Sequence, residues 1–417
     1  MCSTDHQTGA RRARAPNRSL SSPGLGCSPV APLFRWRRAK GWRAGLARRS
    51  DIVVIGAGVM GLWTALTALR AGFSVTVLER ATVGAGASGG IVGALAPHMP
   101  DRWNPKKQFQ LEALVALKAA LLRLEDETGH STGFRQSGRL QPILPGQLRF
   151  VEERLAGARE HWGDLAKMEV VEAATLPHLT PPETGQWMFD TLTACLNPKA
   201  TCEALALRIR ALGGDIQEGV TVKEVTPHSA HSFDGAFQAE HIVLAAGVDG
   251  FGLLEPALGT SLGRGEKGQA ALLRGSVPPE MPIIYSDGLY IIAHKTGDIA
   301  VGSTSERDFK SGTQTDAQLD DLIARAQTVA PFLRDMEVVA RWAGVRPRGN
   351  GRDPMLGPVP GVPGVFTMMA GFKISFGIAE KASRLMVSGL QTGAFDLPPT
   401  FTVDHHLAAS PQTTPSP

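Results

Sequence analysis

Apolar positions are scattered without period over the first fifty residues and fall into register abruptly at Asp51. Residues 52–55 (IVVI) form a continuous apolar run, the pattern of a strand buried on both faces of a parallel sheet. A helical period follows over 62–70 and is closed by Gly72, a residue suited to the left-handed turn after a helix. A second apolar strand, 74–78, ends in Glu79. The alternation then resumes. The spacing predicts a core-facing amphipathic helix over 109–125, a helix from about 199 to 212 and a strand from about 215 to 225. Beyond these come a buried strand at 241–244, a strand at 298–302 and a helix over roughly 378–388. A strand–helix–strand opening revisited by strands beyond residue 200 predicts the α/β class. At roughly 150 residues per domain, such a chain makes two or three domains.

The turn between the first strand and helix carries Gly56, Gly58 and Gly61 in GxGxxG spacing. Each glycine has a task. Gly56 permits the tight turn, Gly58 lets a pyrophosphate approach the backbone, and Gly61 lets helix pack on strand. Val59 and Met60 follow at the helix N-terminus, whose free N–H groups suit phosphate. Glu79, 18 residues after Gly61, accepts hydrogen bonds from ribose hydroxyls and disfavours a 2′-phosphate, which sets NADP aside. A second loop of small residues at 82–93 (TVGAGASGGIVG) contains Ala87 and Ser88. Ala245, Ala246 and Gly247 close the strand at 241–244 with small side chains. Backbone can approach a second bulky part of a cofactor at both places, which favours FAD over NAD.

Charge and composition change the picture at the N-terminus only. Residues 1–50 hold ten arginines and Lys40 against Asp5 alone, a net +10, so the rest carries −6 of the chain's +4. An acidic body argues against a nucleic-acid-binding core. The leader is read as a disordered basic extension, with an organellar transit peptide as the alternative to a cytoplasmic protein. No apolar h-region follows Arg37 and Arg38, so twin-arginine export does not fit. Four scattered cysteines without a CxxC pair argue against both a disulfide framework and a metal site. Cys195 and Cys202 read as buried small hydrophobes. No run reaches the roughly 18 apolar residues of a membrane span. His98 and His294 read as satisfied loop or sheet residues, and 396–417 as a tail.

From residue 51 to about 395 the chain resembles the glycine oxidase/D-amino-acid oxidase superfamily of FAD-dependent oxidoreductases. The resemblance lies in the nucleotide motif with VLER (77–80), GASGG (86–90), LNPKA (196–200), LAAG (244–247), KGQ (267–269), VGSTSE (301–306) and WAGVRP (342–347) followed by Asp353 and Gly357. It implies a Rossmann-like FAD-binding domain (GR2-type) from 51–98, 196–262 and 341–395. Interleaved with it is a mixed α/β substrate domain, 99–195 and 263–340, carrying a large antiparallel sheet. It also implies oxidation of a C–N bond in a small amine or amino acid by hydride transfer to flavin N5, with oxygen or another acceptor taking the electrons. The cofactor contacts so implied add Arg80 and Val222 to the residues above.

The same resemblance gives Arg346 in WAGVRP the substrate carboxylate, a task that suits a planar guanidinium fork. The chain has only two tyrosines, Tyr285 and Tyr290, around the turn 286–288. Glycine oxidases are similar in lining their site with two tyrosines at this spacing. The loop 371–377 (GFKISFG) departs from the family's Gly-His-x-Arg-Asn-Gly. Lys373 restores a charge but cannot fork onto a carboxylate, while Gly371 and Gly377 would still admit the flavin ring. That departure leaves the amine open. Sarcosine-oxidase-like relatives carry a lysine where this chain has Ala300, which leaves a dehydrogenase using a non-oxygen acceptor open too. The remaining alternatives are an FAD-dependent tRNA-modification enzyme and a flavin-binding scaffold without turnover. A homo-oligomer is compatible with the sequence.

Overall fold

The computed structural model describes residues 50–278 and 280–411. The expected basic leader lies outside the described residues except for Ser50, which opens the first strand. Two eight-stranded sheets organise the chain.

The first sheet grows from β1 (Ser50–Ile55). Its parallel neighbours are β2 (Val75–Glu79) on one side and the strand Gly235–Leu244 on the other. Asp215–Glu218 and Val365–Met369 extend it in parallel, and Met355–Pro358 closes one edge antiparallel. A short antiparallel meander, Val222–Thr226 and Ser229–Ser232, hangs from the long strand. Ile52 and Val54 point to one apolar cluster and Val53 and Ile55 to another, the two-faced burial that the IVVI run predicts. Helix α1 (Val59–Arg70) packs between the helices Pro198–Ala211 and Ser375–Thr392. The strand expected over 215–225 is broken. At Gly219 (φ +79°) the chain turns so that Val220 N–H donates to Glu79 O at 2.8 Å, and pairing resumes only at Val222.

In spatial order the second sheet comprises Val338–Gly349, Gly263–Leu273, Ile299–Gly302, Leu289–Ala293, Ile283–Ser286, Arg139–Pro142, Gln186–Asp190 and Met168–Glu172. All its pairings are antiparallel except Ile283–Ser286 with Arg139–Pro142.

Three expected boundaries shift for reasons of packing. The boundary at 341 falls inside Val338–Gly349, which is a continuous edge strand of the second sheet. Helix α2 (Pro105–Thr128) falls within the stretch assigned to the substrate domain. Yet Phe109, Ala113, Leu117, Leu121 and Leu124 are buried in the same cluster as α1. Residues 396–411 are no free tail. Phe401 is fully buried edge-on to Phe109, and Val403 and His406 are buried beside it in the short helix Val403–Ala408.

Candidate active site

A single cavity of about 1180 Å³ runs from the glycine-rich turn to the second sheet. It is somewhat larger than a typical small-ligand pocket of roughly 300–1,000 Å³ and suits a dinucleotide together with a substrate.

At one end the wall is backbone. Gly56 holds φ +107°, and a Cβ there would lie 2.5 Å from Ala245 O, so no larger residue fits between the two strands. A Cβ on Gly61 would meet Gly56 O at 2.0 Å, which is the close helix–strand packing expected of the third glycine. Gly58, at the N-cap of α1, has no side chain, so the N–H groups that follow Val59 are left to an anion. Ser88, on the 3₁₀ turn Ala87–Gly89, accepts from Val59 N–H at 3.0 Å and folds the second loop onto this turn. Glu79 accepts from the N–H groups of Ala57 and Ala81, both at 2.9 Å, which fixes its carboxylate at the end of β2. Arg80 pairs with Asp249 at 2.7 Å, both well exposed. Val222, Ala246 and Gly247 complete this end. These residues fit a dinucleotide cofactor.

At the other end the wall is side chains on the second sheet. Trp342 packs against residue 90, where a Cβ would come within 3.3 Å of the indole, and so docks the sheet on the second loop. Arg346 lies across Gly268, where a Cβ would come 2.4 Å from its guanidinium. Its Nη1 donates to Ser303 Oγ at 2.9 Å, and its Nη2 to Thr304 O at 2.6 Å and Lys267 O at 3.1 Å. Its buried Nε has no partner among the described residues. Burial lowers the pKa of this guanidinium, and Glu266 and Glu306 oppose the shift. Glu266 is committed elsewhere, to Ser305 and to Arg348 at 2.6 Å. Arg346 is therefore held by neutral acceptors, with no carboxylate bonded to it.

The KGQ segment supports this arginine from beneath. Lys267, 2 % exposed, sits 2.7 Å from Asp316 and 3.2 Å from Glu306. Gln269 Nε2 donates to both carboxylates. The backbone carbonyl that Arg346 needs is thus fixed by a buried polar network.

Phe372 lies near three cations, with Arg346, Arg348 and Lys373 at 5.5, 5.1 and 5.6 Å from its ring centre. Burial, and then Arg346, push the Lys373 ammonium pKa down. Left-handed backbone in this loop falls on Ala370 and Phe372, while Gly371 has an ordinary φ of −65°. Gly371 and Lys373 line the cavity; Gly377 does not. Expected as a cofactor contact, Gly377 instead packs against Leu114 of α2, where a Cβ would come to 3.0 Å. Tyr285 and Tyr290 are a cross-strand pair with ring centres 4.7 Å apart, joined by a turn with positive φ at Asp287 and Gly288. Burial pushes the Tyr290 phenol up to about 12, so it stays protonated.

The expected site residues therefore meet in one place apart from Gly61 and Gly377, which pack helices. His98 also lines the cavity. Its Nδ1 meets Gln110 Oε1 at 2.5 Å, and burial lowers the pKa of the ring. His294 Nε2 is satisfied by Ile91 O at 2.9 Å. The Cys202 thiol, pushed up to about 12 by burial, is inert. Among the described residues no cluster could hold a metal, and no helix is long and apolar enough to cross a membrane. Arg139, which sequence reasoning passed over, lines the cavity as well. Its one signal was a charged residue opening a strand otherwise buried.

Residues 51–385 match the family described as FAD dependent oxidoreductase. Glycine oxidase of Pseudomonas aeruginosa is 30% identical over 353 residues, 80% of this chain and 93% of that protein. The bifunctional protein ThiO/ThiG of Trichormus variabilis is 29% identical over 74% of this chain, which spans about half of that protein (47%). The crystal structure of glycine oxidase from Geobacillus kaustophilus has a TM-score of 0.76 at 23% identity, covering 84% of this chain and 98% of that one, a likeness of fold. With the dinucleotide cradle and the sheet that faces it, these matches place the chain in the DAO family of FAD-dependent oxidoreductases, as an FAD-dependent enzyme of the glycine-oxidase and D-amino-acid-oxidase type.

Proposed function

We propose that this enzyme oxidises the C–N bond of a small amine that bears a carboxylate. One observation carries the reading. Arg346 is a half-buried guanidinium whose buried Nε has no partner among the described residues, bonded only to neutral acceptors, in the same cavity as the dinucleotide cradle. Such a group favours an anionic partner, because it has lost part of its water without a counter-charge bonded to it. FAD, when bound, supplies the two-electron oxidation. The chain's residues bind and orient. Arg346 grips the carboxylate, and the Tyr285–Tyr290 pair offers a rigid wall with a protonated hydroxyl. Lys373 adds positive charge, and the sheet excludes water behind the reacting carbon. The glycine turn, α1, Glu79, Arg80, Ala87, Ser88, Val222, Ala246, Gly247 and Gly371 hold the cofactor. Oxygen or another acceptor then takes the electrons.

The test is anaerobic mixing of the yellow holoenzyme with glycine, sarcosine, D-amino acids and proline derivatives. Loss of the oxidised-flavin absorbance with at least one of them is expected. A flavin that none of these amines bleaches would overturn the reading. Readmitting air and measuring hydrogen peroxide separates an oxidase from a dehydrogenase.

A further inference from the structure

The function proposed above leaves one group in the cavity unused. Arg139 opens the strand Arg139–Pro142, is 4 % exposed and lines the cavity. Its Nε donates to Asp190 Oδ2 at 2.9 Å, its Nη1 reaches Pro97 O at 3.5 Å, and the guanidinium also bonds the Tyr290 hydroxyl. Nη2, equally buried, has no hydrogen-bond partner among the described residues. Asp190 cannot turn to meet it, because its other oxygen accepts from Thr193 N–H at 2.8 Å and Thr193 Oγ1 at 2.7 Å. Two residues along, on the same face of the strand, Gln141 also lines the cavity, and its Oε1 is buried without a partner. The guanidinium lies 5.9 Å from the Tyr285 ring centre. A buried donor without a partner is costly, and a cavity-facing position is where a ligand repays that cost.

We propose that Arg139 and Gln141 recognise a second carboxyl-type group on the substrate, a carboxylate or a carboxamide, in addition to the carboxylate at Arg346. The inference rests on the Arg346 reading above. The guanidinium presents a planar donor edge to a carboxyl oxygen, and the Gln141 amide either donates or accepts beside it. Asp190 already balances the charge of Arg139, so a neutral carboxamide is accommodated as well as an anion. Ser303, which Arg346 bonds, follows Gly302, the cross-strand partner of Tyr290, and the Arg139 guanidinium lies beside Tyr285 and Tyr290, so both guanidinium groups lie near the tyrosine pair.

The holoenzyme is assayed with aspartate, glutamate, asparagine, glutamine and iminodiacetate, against alanine, 2-aminobutyrate, norvaline and sarcosine, both enantiomers where they exist. At least one member of the first set is expected to exceed its alkyl counterpart about tenfold or more in kcat/KM. Titration of the oxidised-flavin spectrum with malonate and malonamate against acetate and propionate reads the same preference without turnover. In R139M/D190N, which removes both buried charges together, the preference ratio falls towards one, and R139K lowers it part of the way. Alkyl amines oxidised as well as their carboxyl counterparts overturn the inference while leaving amine oxidation standing. An unchanged ratio in a flavin-loaded R139M/D190N does the same. No bleaching by either set removes both. Should the variants lose flavin, the wild-type panel decides alone.

Discussion

The two ends of the cavity are built from different materials. The nucleotide end is made of backbone. Gly56 against Ala245 O, a start of α1 where Ser88 alone takes an N–H and a carboxylate held by two N–H groups leave a surface with almost no side chain to vary. The sheet end is made of long charged side chains from strands distant in sequence, each steered by the next: Lys267 fixes a carbonyl, the carbonyl fixes Arg346, and Glu266 is diverted to Arg348. Backbone construction gives a site that tolerates no bulk. Side-chain construction gives one whose charge balance can be retuned.

Four changes sharpen that contrast. Gly56→Val places a β-branched residue at φ +107° and within 2.5 Å of a carbonyl, so the variant is expected to purify without flavin and to lose at least about 2–3 kcal/mol of stability. A yellow, normally stable variant would erase the distinction between the ends. Arg346→Ala is expected to keep the flavin spectrum and to lower kcat/KM for carboxylate-bearing amines by about 10²–10³-fold, mostly through KM. An unaltered value would remove the carboxylate grip. The third change concerns pH. Because burial and Arg346 lower the Lys373 pKa, its ammonium is present below that value and lost above it, at a pH under the ordinary 10.5. KM should therefore rise on the alkaline side, and Lys373→Arg, which stays charged, should flatten that rise. Tyr290, pushed up to about 12, does not titrate there. An identical alkaline limb in the variant would exclude Lys373 as its source. Smallest of all is Arg80→Ala. Its pair with Asp249 is 60 % and 46 % exposed, so a loss of only about 0.5 kcal/mol and a slight weakening of flavin binding are expected from melting curves and flavin titration.

The same contrast explains what the amino-acid sequence reveals. The β1–α1–β2 unit is legible because its glycines, apolar runs and acid lie within thirty residues and act on one another locally. Tyr285 and Tyr290 are legible because a hairpin brings them together. Arg346 could be named from its motif, but the reason it remains without a carboxylate depends on Lys267, Glu306 and Asp316, which only tertiary packing joins. Arg139 looks like an ordinary first residue of a strand until Asp190, on the neighbouring strand, is seen to occupy one edge of it. Gly377 carries the composition of a cofactor loop yet serves helix packing, because Leu114 of α2 approaches there. The expected domain boundary at 341 falls inside one unbroken strand that carries both Trp342 and Arg346, although the first docks on the cofactor loop and the second lines the far end of the cavity.

Helix α2 directly precedes the first strand of the second sheet in chain order yet buries Phe109, Leu117, Leu121 and Leu124 in the nucleotide half. Cutting the polypeptide on either side of it would leave one fragment missing a wall of its interior and the other carrying a bare greasy stripe. The two halves should consequently melt in a single calorimetric transition and resist being expressed as separate folded pieces.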